Sequence, residues 1–335
     1  MKALNFLISI FLIFSFCQSC DKTESKNNSK KIRIILDTDA NNELDDQHAI
    51  AYMLFNSDIF DVEGITVNKT YNGGSIEKHY EEAKRVVKLC NSESQIDVYK
   101  GASGTYDEIK DHIIEPNFDG SEAVNFIIER ANASDDRKLV LLGVGKLTNI
   151  ALALKKAPEI VSKVRVVWLG SNYPEYGEYN FENDTTALDP IYNSGSQFEI
   201  VTVRYGKKTG TDAVVAYLED FQEKMPGKGP HISQPVTGRH GGKFTNFGDY
   251  SVNLFENFRG SPDSRPLYDM AAVAILKNPE WAEKDTIGAP KFENGKWIKQ
   301  PDNLRKIILW ENFDKESIMQ DFYNSMNNYN LPKTE

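Results

Sequence analysis

The sequence predicts an α/β fold: a mainly parallel, Rossmann-like open sheet with helices on both faces, plus a small lid or subdomain. Short apolar runs alternate with longer amphipathic runs along most of the chain, as they do in repeated β–α units. The chain has 335 residues, enough for one large core or two unequal domains. The alternation loosens between residues 206 and 264, where Gly, Pro, His and aromatic residues show weak periodicity. This segment is the predicted lid or subdomain.

The predicted elements follow one another as strands and helices. Apolar runs rich in β-branched residues predict strands at 32–36, 62–67, 96–99, 139–142, 164–169 and 198–203. Apolar residues at helical spacing predict helices at 45–55, 76–89, 122–131, 147–157 and 266–277. Ligands of such sheets bind outside the carboxyl ends of the strands. The predicted surroundings of a binding site are therefore 37–46, 68–72, 143–149 and 170–184.

The N-terminal segment has the pattern of an export signal. Lys2 precedes an almost continuously apolar run from residue 4 to 16, which is too short for a permanent membrane span. The sequence Phe16-Cys17-Gln18-Ser19-Cys20 that follows resembles the lipobox of bacterial lipoproteins. It predicts a signal peptide at 1–19, a lipid on Cys20 and a flexible tether over 20–31, which leaves 32–335 as the folded domain. The product would be exported and membrane-anchored, on the periplasmic side or the cell surface. A plain secretory signal, with Cys20 incidental, is the alternative.

Charge and cysteine content limit the partners and the covalent chemistry. The net charge is −10, and no cluster of Lys and Arg interleaves with aromatic residues, which argues against a nucleic-acid partner. Cys90 is the one cysteine of the predicted domain, so no disulfide forms within it. We expect Cys90 to pack in the core.

An acidic cluster stands where the first strand gives way to the first helix. Asp37 and Asp39 end the strand, Asp45 and Asp46 begin the helix, and Glu43 lies between. Carboxylates that converge in this way repel one another unless a cation lies among them. Calcium accepts the irregular oxygen geometry of a loop, and a helix N-terminus favours anions. A solvated acidic loop with a helix cap is the alternative.

Several motifs together carry a family resemblance. The spacing of Asp37-Thr38-Asp39 and Asp45-Asp46 resembles the N-terminal signature of the inosine–uridine nucleoside hydrolase family. The likeness extends over nearly the whole predicted domain, through Gly64-Ile65-Thr66-Val67, Val98-Tyr99-Lys100-Gly101, Leu142-Gly143-Val144-Gly145-Lys146-Leu147-Thr148-Asn149, Val166-Val167-Trp168-Leu169-Gly170, Glu178-Tyr179-Asn180 with Asp184, and Tyr268-Asp269.

The resemblance implies an activity, a metal and a substrate. Members of that family hydrolyse the N-glycosidic bond of ribonucleosides to ribose and free base, using calcium that binds the ribose diol and the attacking water. The reaction passes through an oxocarbenium-like ribosyl cation. By resemblance, the partner is a small nucleoside-like molecule and the protein forms a homo-oligomer. The resemblance also implies metal ligands, namely Asp39, Asp46, Asp269 and the backbone carbonyl of Thr148.

The remaining site roles are carried over from the same resemblance. Asp39 is also the general base that takes a proton from the attacking water. Asp37 supports the loop from the end of the strand. The substrate-binding residues implied are Asp45, on the ribose 2′-hydroxyl, with Asn172, Glu178 and Asn180 on the other hydroxyls, and Tyr268 near the base.

Two departures from the family pattern leave alternatives open. Five residues separate Asp39 from Asp45, two more than is common, so Asn42 or Glu43 could instead contact the ribose or the metal. Tyr268 stands where the family has a histidine that protonates the leaving base, and a phenol with a pKa of about 10 is a poor acid. It could still stack on the base.

His240 is an alternative acid, and the leaving-group acid stays unassigned. Aromatic candidates for a base pocket are Tyr71, Tyr173, Tyr176, Tyr179 and Phe244.

These departures define two other functions. One keeps the fold and the metal but acts on a different N-riboside or a modified sugar. The other is a non-catalytic lipoprotein that binds calcium and a sugar.

Overall fold

The fold is described from a computed structural model that covers residues 31–42, 44–260 and 262–333. Its strands, in chain order, are β1 Ile32–Thr38, β2 Phe60–Val67, β3 Val98–Lys100, β4 Leu139–Gly143, β5 Val164–Leu169, β6 Gln197–Val201, β7 Val215–Tyr217, β8 Val236–Thr237, β9 Lys243–Phe244, β10 Ser264–Pro266, β11 Glu283–Gly288, β12 Lys291–Glu293, β13 Lys296–Ile298 and β14 Lys306–Glu311. Its helices are α1 Asp45–Phe55, α2 Ile76–Leu89, α3 Tyr106–Ile109, α4 Ser121–Asn132, α5 Thr148–Lys156, α6 Tyr179–Asn183, α7 Leu188–Ser194, α8 Leu218–Lys224, α9 Phe247–Glu256, α10 Tyr268–Lys277 and α11 Lys315–Asn327.

The central sheet has eight strands in the order β11-β14-β6-β5-β4-β1-β2-β3. All neighbouring pairs run parallel except β11 with β14, which is antiparallel. The predicted fold class, a mainly parallel sheet between helices, is confirmed. The antiparallel pair and α11 come from residues 283–327, for which the sequence analysis predicted no element.

Each face of the sheet has its own hydrophobic core, because successive side chains of a strand point to opposite faces. On β1, Ile34 and Leu36 pack into one core, which also contains residues of α1, α2, α8, α9, α10 and α11. Ile35 packs into the other, with residues of α3, α4, α5 and α7. The near-continuous apolar runs of the strands are thus explained by burial on both faces.

The predicted elements are present with shifted bounds. The strand predicted at 96–99 is β3, and the helix predicted from residue 266 begins at Tyr268. The second shift has a tertiary cause. Residues 264–266 pair with β7, so they are extended and the helix starts after them.

The segment predicted as a lid or subdomain contains β7, α8, β8, β9 and α9. Phe221 of α8 and Phe247 of α9 pack edge-on against His48 of α1, with ring centroids 5.2 and 5.3 Å away. Burial lowers the pKa of His48 to about 4, so this imidazole is a neutral core residue. The segment is thereby joined to the helix that begins with the acidic cluster.

Residues 1–30 and Glu43 lie outside the described part of the chain, and with them the predicted signal peptide, Cys20 and most of the tether. Cys90 is buried with a free thiol, as predicted. Within residues 31–42, 44–260 and 262–333, no helix is long and apolar enough to cross a membrane.

The loops that follow the central strands are held together at one edge of the sheet. The amide of Asn68, just after β2, donates to the carbonyl of Thr38 at 2.9 Å. The amide of Val144, just after β4, donates to the carbonyl of Asp37 at 2.8 Å. These bonds bring the residues after β1, β2 and β4 together at the carboxyl edge, where the site was predicted.

Candidate active site

A cavity of about 310 Å³ lies at this carboxyl edge. Val144, Leu169 and Val203, at or just after the ends of β4, β5 and β6, supply its apolar lining. The polar residues described along it are Asp39, Asn42, Asp45, Asp46, Glu178, Tyr179, Asn180, Tyr205, Arg265, Tyr268 and Asp269. Most of its lining carboxylates come from the loop after β1 and from the starts of two helices.

Three buried carboxylates converge most closely. Asp45, Asp46 and Asp269 each offer an oxygen, and these oxygens all lie within 4.8 Å of one another. Asp45 and Asp46 begin α1, Asp269 is the second residue of α10, and the two helices pack together. Two helix N-termini therefore meet at the cluster, where their dipoles favour negative charge.

The electrostatics of the cluster fit a hard divalent cation. Burial, and then the neighbouring carboxylates, raise the pKa values of Asp46 and Asp269 well above the usual range. Burial raises the pKa of Asp45 to about 7, with Asp39 adding to the shift. Carboxylate oxygens are the ligands that calcium and magnesium prefer, and a cation would remove the repulsion. The geometry groups Asp45 with Asp46 and Asp269, whereas the sequence analysis had placed Asp45 on the substrate.

Asp39 borders the same cavity. The Thr70 hydroxyl donates to Asp39 Oδ2, and the Asn42 side chain also hydrogen-bonds to this carboxylate. Burial nevertheless raises the pKa of Asp39 to about 6. Because this value is close to neutral, Asp39 is able to accept a proton during a reaction. Asn42, one of the two loop residues left open by the sequence analysis, thus helps to hold Asp39.

Asp37 is not among the described residues that line the cavity. Its Oδ1 accepts hydrogen bonds from Thr66 Oγ1 at 2.6 Å and Asn149 Nδ2 at 2.7 Å, and its Oδ2 accepts one from Asn68 Nδ2 at 3.0 Å. Burial raises the pKa of Asp37 to about 6 despite these donors. The carboxylate joins the ends of β1 and β2 to the start of α5, and so fixes the loop that carries Asp39.

Hydrogen bonds with backbone groups fix the side chains of Glu178 and Asn180. Three backbone N–H groups donate to the Glu178 carboxylate: Asn180 at 2.9 Å, and Ser171 and Phe181 at 2.8 Å. Ser171 has a φ of 73°, a left-handed conformation that a non-glycine residue adopts at some cost. Burial still raises the pKa of Glu178 to about 7.

The Asn180 amide donates to the carbonyls of Val144 at 2.9 Å and Leu169 at 3.0 Å. Both donors are used, so its oxygen is the atom left for a ligand.

The side chains of two predicted site residues make other contacts, which do not involve the predicted ligand atom of Thr148, its backbone carbonyl. The Asn172 amide donates to the carbonyls of Tyr176 and Gly177, both at 3.2 Å, and accepts from the Tyr205 amide at 3.1 Å. It braces the loop that leads to Glu178. The Thr148 hydroxyl donates to Asp184 Oδ2 at 2.5 Å. Neither Asn172 nor Thr148 is among the described residues that line the cavity.

The predicted acid and base-pocket residues are dispersed. His240 is exposed and lines an adjoining cavity together with Arg239. Among the described residues, Asn42 is the one that lines both this cavity and the cavity with the acidic cluster. Burial and Arg239 lower the pKa of His240. Tyr179 is the one predicted aromatic that lines the acidic cavity within the described chain. The others lie apart: Tyr71 and Tyr176 are 76% and 66% exposed, Tyr173 packs on Trp297 and Phe244 packs on Tyr250.

Tyr268 lines the cavity at the start of α10, but its hydroxyl is engaged. It donates to Asp212 Oδ1 at 2.8 Å, and burial together with Asp212 raises the pKa of Tyr268. The ring of Tyr205 stands perpendicular to it, with centroids 5.9 Å apart, and the Arg265 guanidinium lies 5.5 Å from its centroid.

The sequence analysis missed Tyr205, Arg265 and Asp212. Tyr205 follows a predicted strand at the carboxyl edge, so the rule that selected the other loops could have found it.

Comparison with known proteins decides the family. Residues 34–314 match the model of the inosine-uridine preferring nucleoside hydrolase family. The chain belongs to that family. This confirms the family predicted from the motifs, whose members are metal-dependent hydrolases that act on N-glycosyl bonds. The acidic cluster at the carboxyl edge is consistent with a metal in this family member.

Individual relatives of this nucleoside hydrolase family member are distant. The pyrimidine-specific ribonucleoside hydrolase RihB of Escherichia coli is 26% identical over 170 residues, 48% of this chain and 49% of that protein. The chain thus matches about half the length of this curated relative. The solved structure of the plant nucleoside hydrolase PpNRh1 has a TM-score of 0.68 at 18% identity, over 88% of this chain and 99% of that one. The purine-preferring ribonucleoside hydrolase of Gardnerella vaginalis has a TM-score of 0.65 at 20% identity, over 88% and 98%. At these identities the structures show the shared fold.

Proposed function

We propose that this protein hydrolyses the N-glycosidic bond of ribonucleosides to ribose and free base, with calcium as its metal. One observation carries the proposal. Asp39, Asp45, Asp46 and Asp269 lie along the same cavity as Glu178 and Asn180, so carboxylates able to hold a cation lie beside groups able to bind sugar hydroxyls. Membership of the nucleoside hydrolase family supports this reading.

Asp45, Asp46 and Asp269 would hold the metal, with Asp39 beside them and, by family resemblance, the Thr148 carbonyl. All four carboxylates are buried, as oxygen ligands shielded from bulk water should be. When bound, the cation supplies positive charge that polarises the oxygen atoms of the substrate and the attacking water.

Asp39 is the base in this proposal. The Thr70 hydroxyl and the Asn42 amide hold its carboxylate, so it is oriented before the substrate arrives. It takes a proton from water as the water oxygen attacks C1′. The remaining buried carboxylates favour the positive charge that develops on the ribosyl ring.

Glu178 and Asn180 would bind ribose hydroxyls. The backbone donors that fix Glu178 come from residues on both sides of its loop, and the Asn180 oxygen is oriented by two carbonyls. Both are therefore preorganised acceptors for hydroxyl groups. Asn172 would act through the loop it braces.

One observation favours a second candidate, hydrolysis of a different N-riboside or a modified sugar. The Tyr268 hydroxyl donates its proton to a hydrogen bond with Asp212. It therefore does not take the place of the family's histidine, which protonates a departing purine base. The relatives do not indicate which nucleobase is preferred, since one is named for pyrimidines and another for purines. A calcium- and sugar-binding lipoprotein without turnover is the third candidate.

The test uses residues 21–335, expressed without the lipid. Ribose release from purine, pyrimidine and nicotinamide ribosides is measured with calcium and with chelator. We expect turnover that requires calcium and is lost in Asp39→Asn. The control Asp302→Asn removes an exposed carboxylate and should leave turnover unchanged. Tight calcium binding without release from any riboside would exclude the nucleoside reaction and favour the binding protein.

Export and lipidation at Cys20 form a separate proposal, supported by the lipobox-like sequence at residues 16–20. The full chain is expressed in a bacterium fed labelled fatty acid. We expect label in the membrane fraction, and its loss in Cys20→Ser. A secreted, unlabelled product would instead indicate a plain signal peptide. Light scattering on the soluble protein tests the homo-oligomer expected from the family resemblance.

A further inference from the structure

A second cavity, of about 460 Å³, lies beside the acidic one. Asn42 lines both, so the two cavities share a wall. The described lining of the second cavity contains two arginines, Arg239 and Arg259, and no carboxylate, whereas carboxylates dominate the acidic cavity. We call it the basic cavity. In a chain with a net charge of −10, a cavity of this charge is a local exception.

The backbone that carries Arg239 is anchored. Arg239 lies in the turn of the β8–β9 hairpin, where the Gly241 amide donates to the Gly238 carbonyl at 3.0 Å. The Arg239 amide donates to the hydroxyl of Tyr250, and this hydroxyl donates in turn to the buried carboxylate of Glu82. The position of Arg239 is therefore set before a ligand arrives, which lowers the entropic cost of binding.

The two guanidinium groups have no counter-ion in the described part of the chain, since no described carboxylate forms an ion pair with Arg239 or Arg259. Arg259 is exposed and Arg239 is half-buried. Burial lowers the pKa of Arg239, because its charge loses hydration. The carboxylate whose charge acts on it, Asp46, belongs to the acidic cavity. A bound anion would provide the missing counter-ion through charge-assisted, bidentate hydrogen bonds.

The two neighbouring cavities would orient a substrate that has a charged end. The buried carboxylates of the acidic cavity repel an anionic group, whereas the two guanidiniums of the basic cavity attract it. A riboside with an anionic substituent is therefore favoured in one orientation, with its ribose against the carboxylates and its substituent against the arginines.

We propose that the basic cavity binds an anionic group of the substrate, a phosphate or a carboxylate held by Arg239 and Arg259, while the ribose lies in the acidic cavity. The substrate is then an anionic N-riboside, an inference that rests on the proposed function. Such a group has two sources on a nucleoside, a phosphate on the 5′-oxygen or a carboxylate on the base. In either position it takes no part in bond cleavage, and its binding energy serves to orient C1′ toward the attacking water.

The kinetic test compares three ribosides that differ in their anionic group. Uridine has none, uridine 5′-monophosphate has a phosphate on the sugar, and orotidine has a carboxylate on the base. We expect kcat/KM in calcium to be higher for one of the two anionic ribosides than for uridine, and that riboside identifies the source. Loss of a charge-assisted contact in Arg239→Gln should lower kcat/KM on it by roughly 10- to 100-fold. The loss on uridine should be smaller, and Arg239→Lys should recover part of the preference.

The binding test does not depend on turnover. Calorimetry measures the Kd of ribose 5-phosphate against ribose, and of orotate against uracil, in calcium. We expect the anionic member of one pair to bind more tightly in the wild type, and the difference to disappear in Arg239→Gln. An anion held by the metal alone would bind equally well to both proteins, and this result would overturn the inference.

A matched control separates local contact from net charge. Lys299 is exposed and lines neither cavity, so Lys299→Gln should leave all three substrates unaffected. Faster cleavage of uridine than of both anionic ribosides, or equal losses on all three in Arg239→Gln, would overturn the inference and leave the proposed function intact. Anion binding that requires Arg239, without hydrolysis of any riboside, would uphold the anion site and reject the proposed function. Neither binding nor hydrolysis would reject both.

Discussion

The hydroxyl of Tyr268 donates a hydrogen bond to Asp212 Oδ1 at 2.8 Å, and this contact decides what Tyr268 is able to do. The carboxylate holds the phenolic proton and, with burial, raises the pKa of Tyr268. A donor whose proton is already engaged by an anion is a poor acid toward a leaving base. Tyr268 therefore contributes its ring to the cavity, and its hydroxyl contributes to the link between α10 and the turn at Asp212.

Tyr268→Phe tests this assignment. We expect kcat on uridine to stay within a few-fold of the wild type, because the substitution keeps the ring and removes a hydroxyl that does not protonate the base. A general acid contributes about 10²- to 10⁴-fold, so a loss of that size would show that Tyr268 is the acid. Steady-state kinetics decide the matter. Asp212→Asn serves as the companion variant, because it keeps Tyr268 and weakens the hydrogen bond that the phenolic proton makes to residue 212.

The acidic cluster could be predicted from sequence because its main parts are local. Asp37 lies near the end of β1 and Asp39 just after it, and Asp45 and Asp46 start α1, so the loop alone brings them together. Asp269 needed the family motif. Arg265 could not be placed in the cavity by these means, because its position depends on the pairing of β10 with β7, nearly fifty residues apart in the chain.

Hydrogen bonds from a side chain to the backbone account for the difference at Asn172. The motif suggested Asn172 as a ribose ligand, whereas its amide is occupied by the carbonyls of Tyr176 and Gly177 and the Tyr205 amide. A motif identifies a residue, but only the folded loop shows which hydrogen bonds it has already made.

Metal-free stability should depend on pH through the cluster. The unfolded carboxyls have a pKa of about 4, whereas burial raises that of Asp45 to about 7 and those of Asp46 and Asp269 well above the usual range. The folded state therefore binds more protons than the unfolded state in this window. The free energy of unfolding attributable to the cluster falls as pH rises from about 4 to about 7. Calcium binds deprotonated carboxylates, so its stabilisation should grow over the same interval.

Thermal denaturation in chelator and in calcium, at about pH 4.5 and about pH 7.5, measures both effects. Asp269→Asn removes one buried charge, and we expect it to stabilise the metal-free protein near neutral pH and to abolish the calcium effect. Asp302→Asn, on the surface, controls for net charge. The contribution of the cluster is the difference in stability between the wild type and Asp269→Asn. A contribution that rises with pH would contradict the prediction.

Glu178→Gln should cost both stability and activity. The carboxylate accepts from the Ser171, Asn180 and Phe181 amides, through both of its oxygens. A glutamine offers one oxygen and turns an NH₂ group toward at least one of these buried donors. Leaving a buried donor unsatisfied costs about 1–3 kcal/mol, measured as the change in the free energy of unfolding. Glu182→Gln, an exposed position in α6, the short helix that Glu178 caps, should be neutral, and equal effects of the two variants would refute the argument.

Gly145→Ala tests how closely the loop after β4 approaches Asp39, the proposed general base. A Cβ at Gly145 would lie 2.8 Å from the Asn68 amide atoms and 3.1 Å from Asp39 Oδ1, which is too close unless these side chains move. We expect kcat to fall by about 10- to 100-fold, since a small displacement of a catalytic group is costly, with little change in thermal stability. Gly143→Ala is the matched control, because its Cβ would meet the Ile150 and Trp168 side chains at 3.3 Å, away from the carboxylates. It should lower stability more than kcat. If Gly145→Ala keeps full kcat, the backbone at Gly145 does not constrain Asp39. The hydrogen bonds from Thr70 and Asn42 alone would then orient this carboxylate.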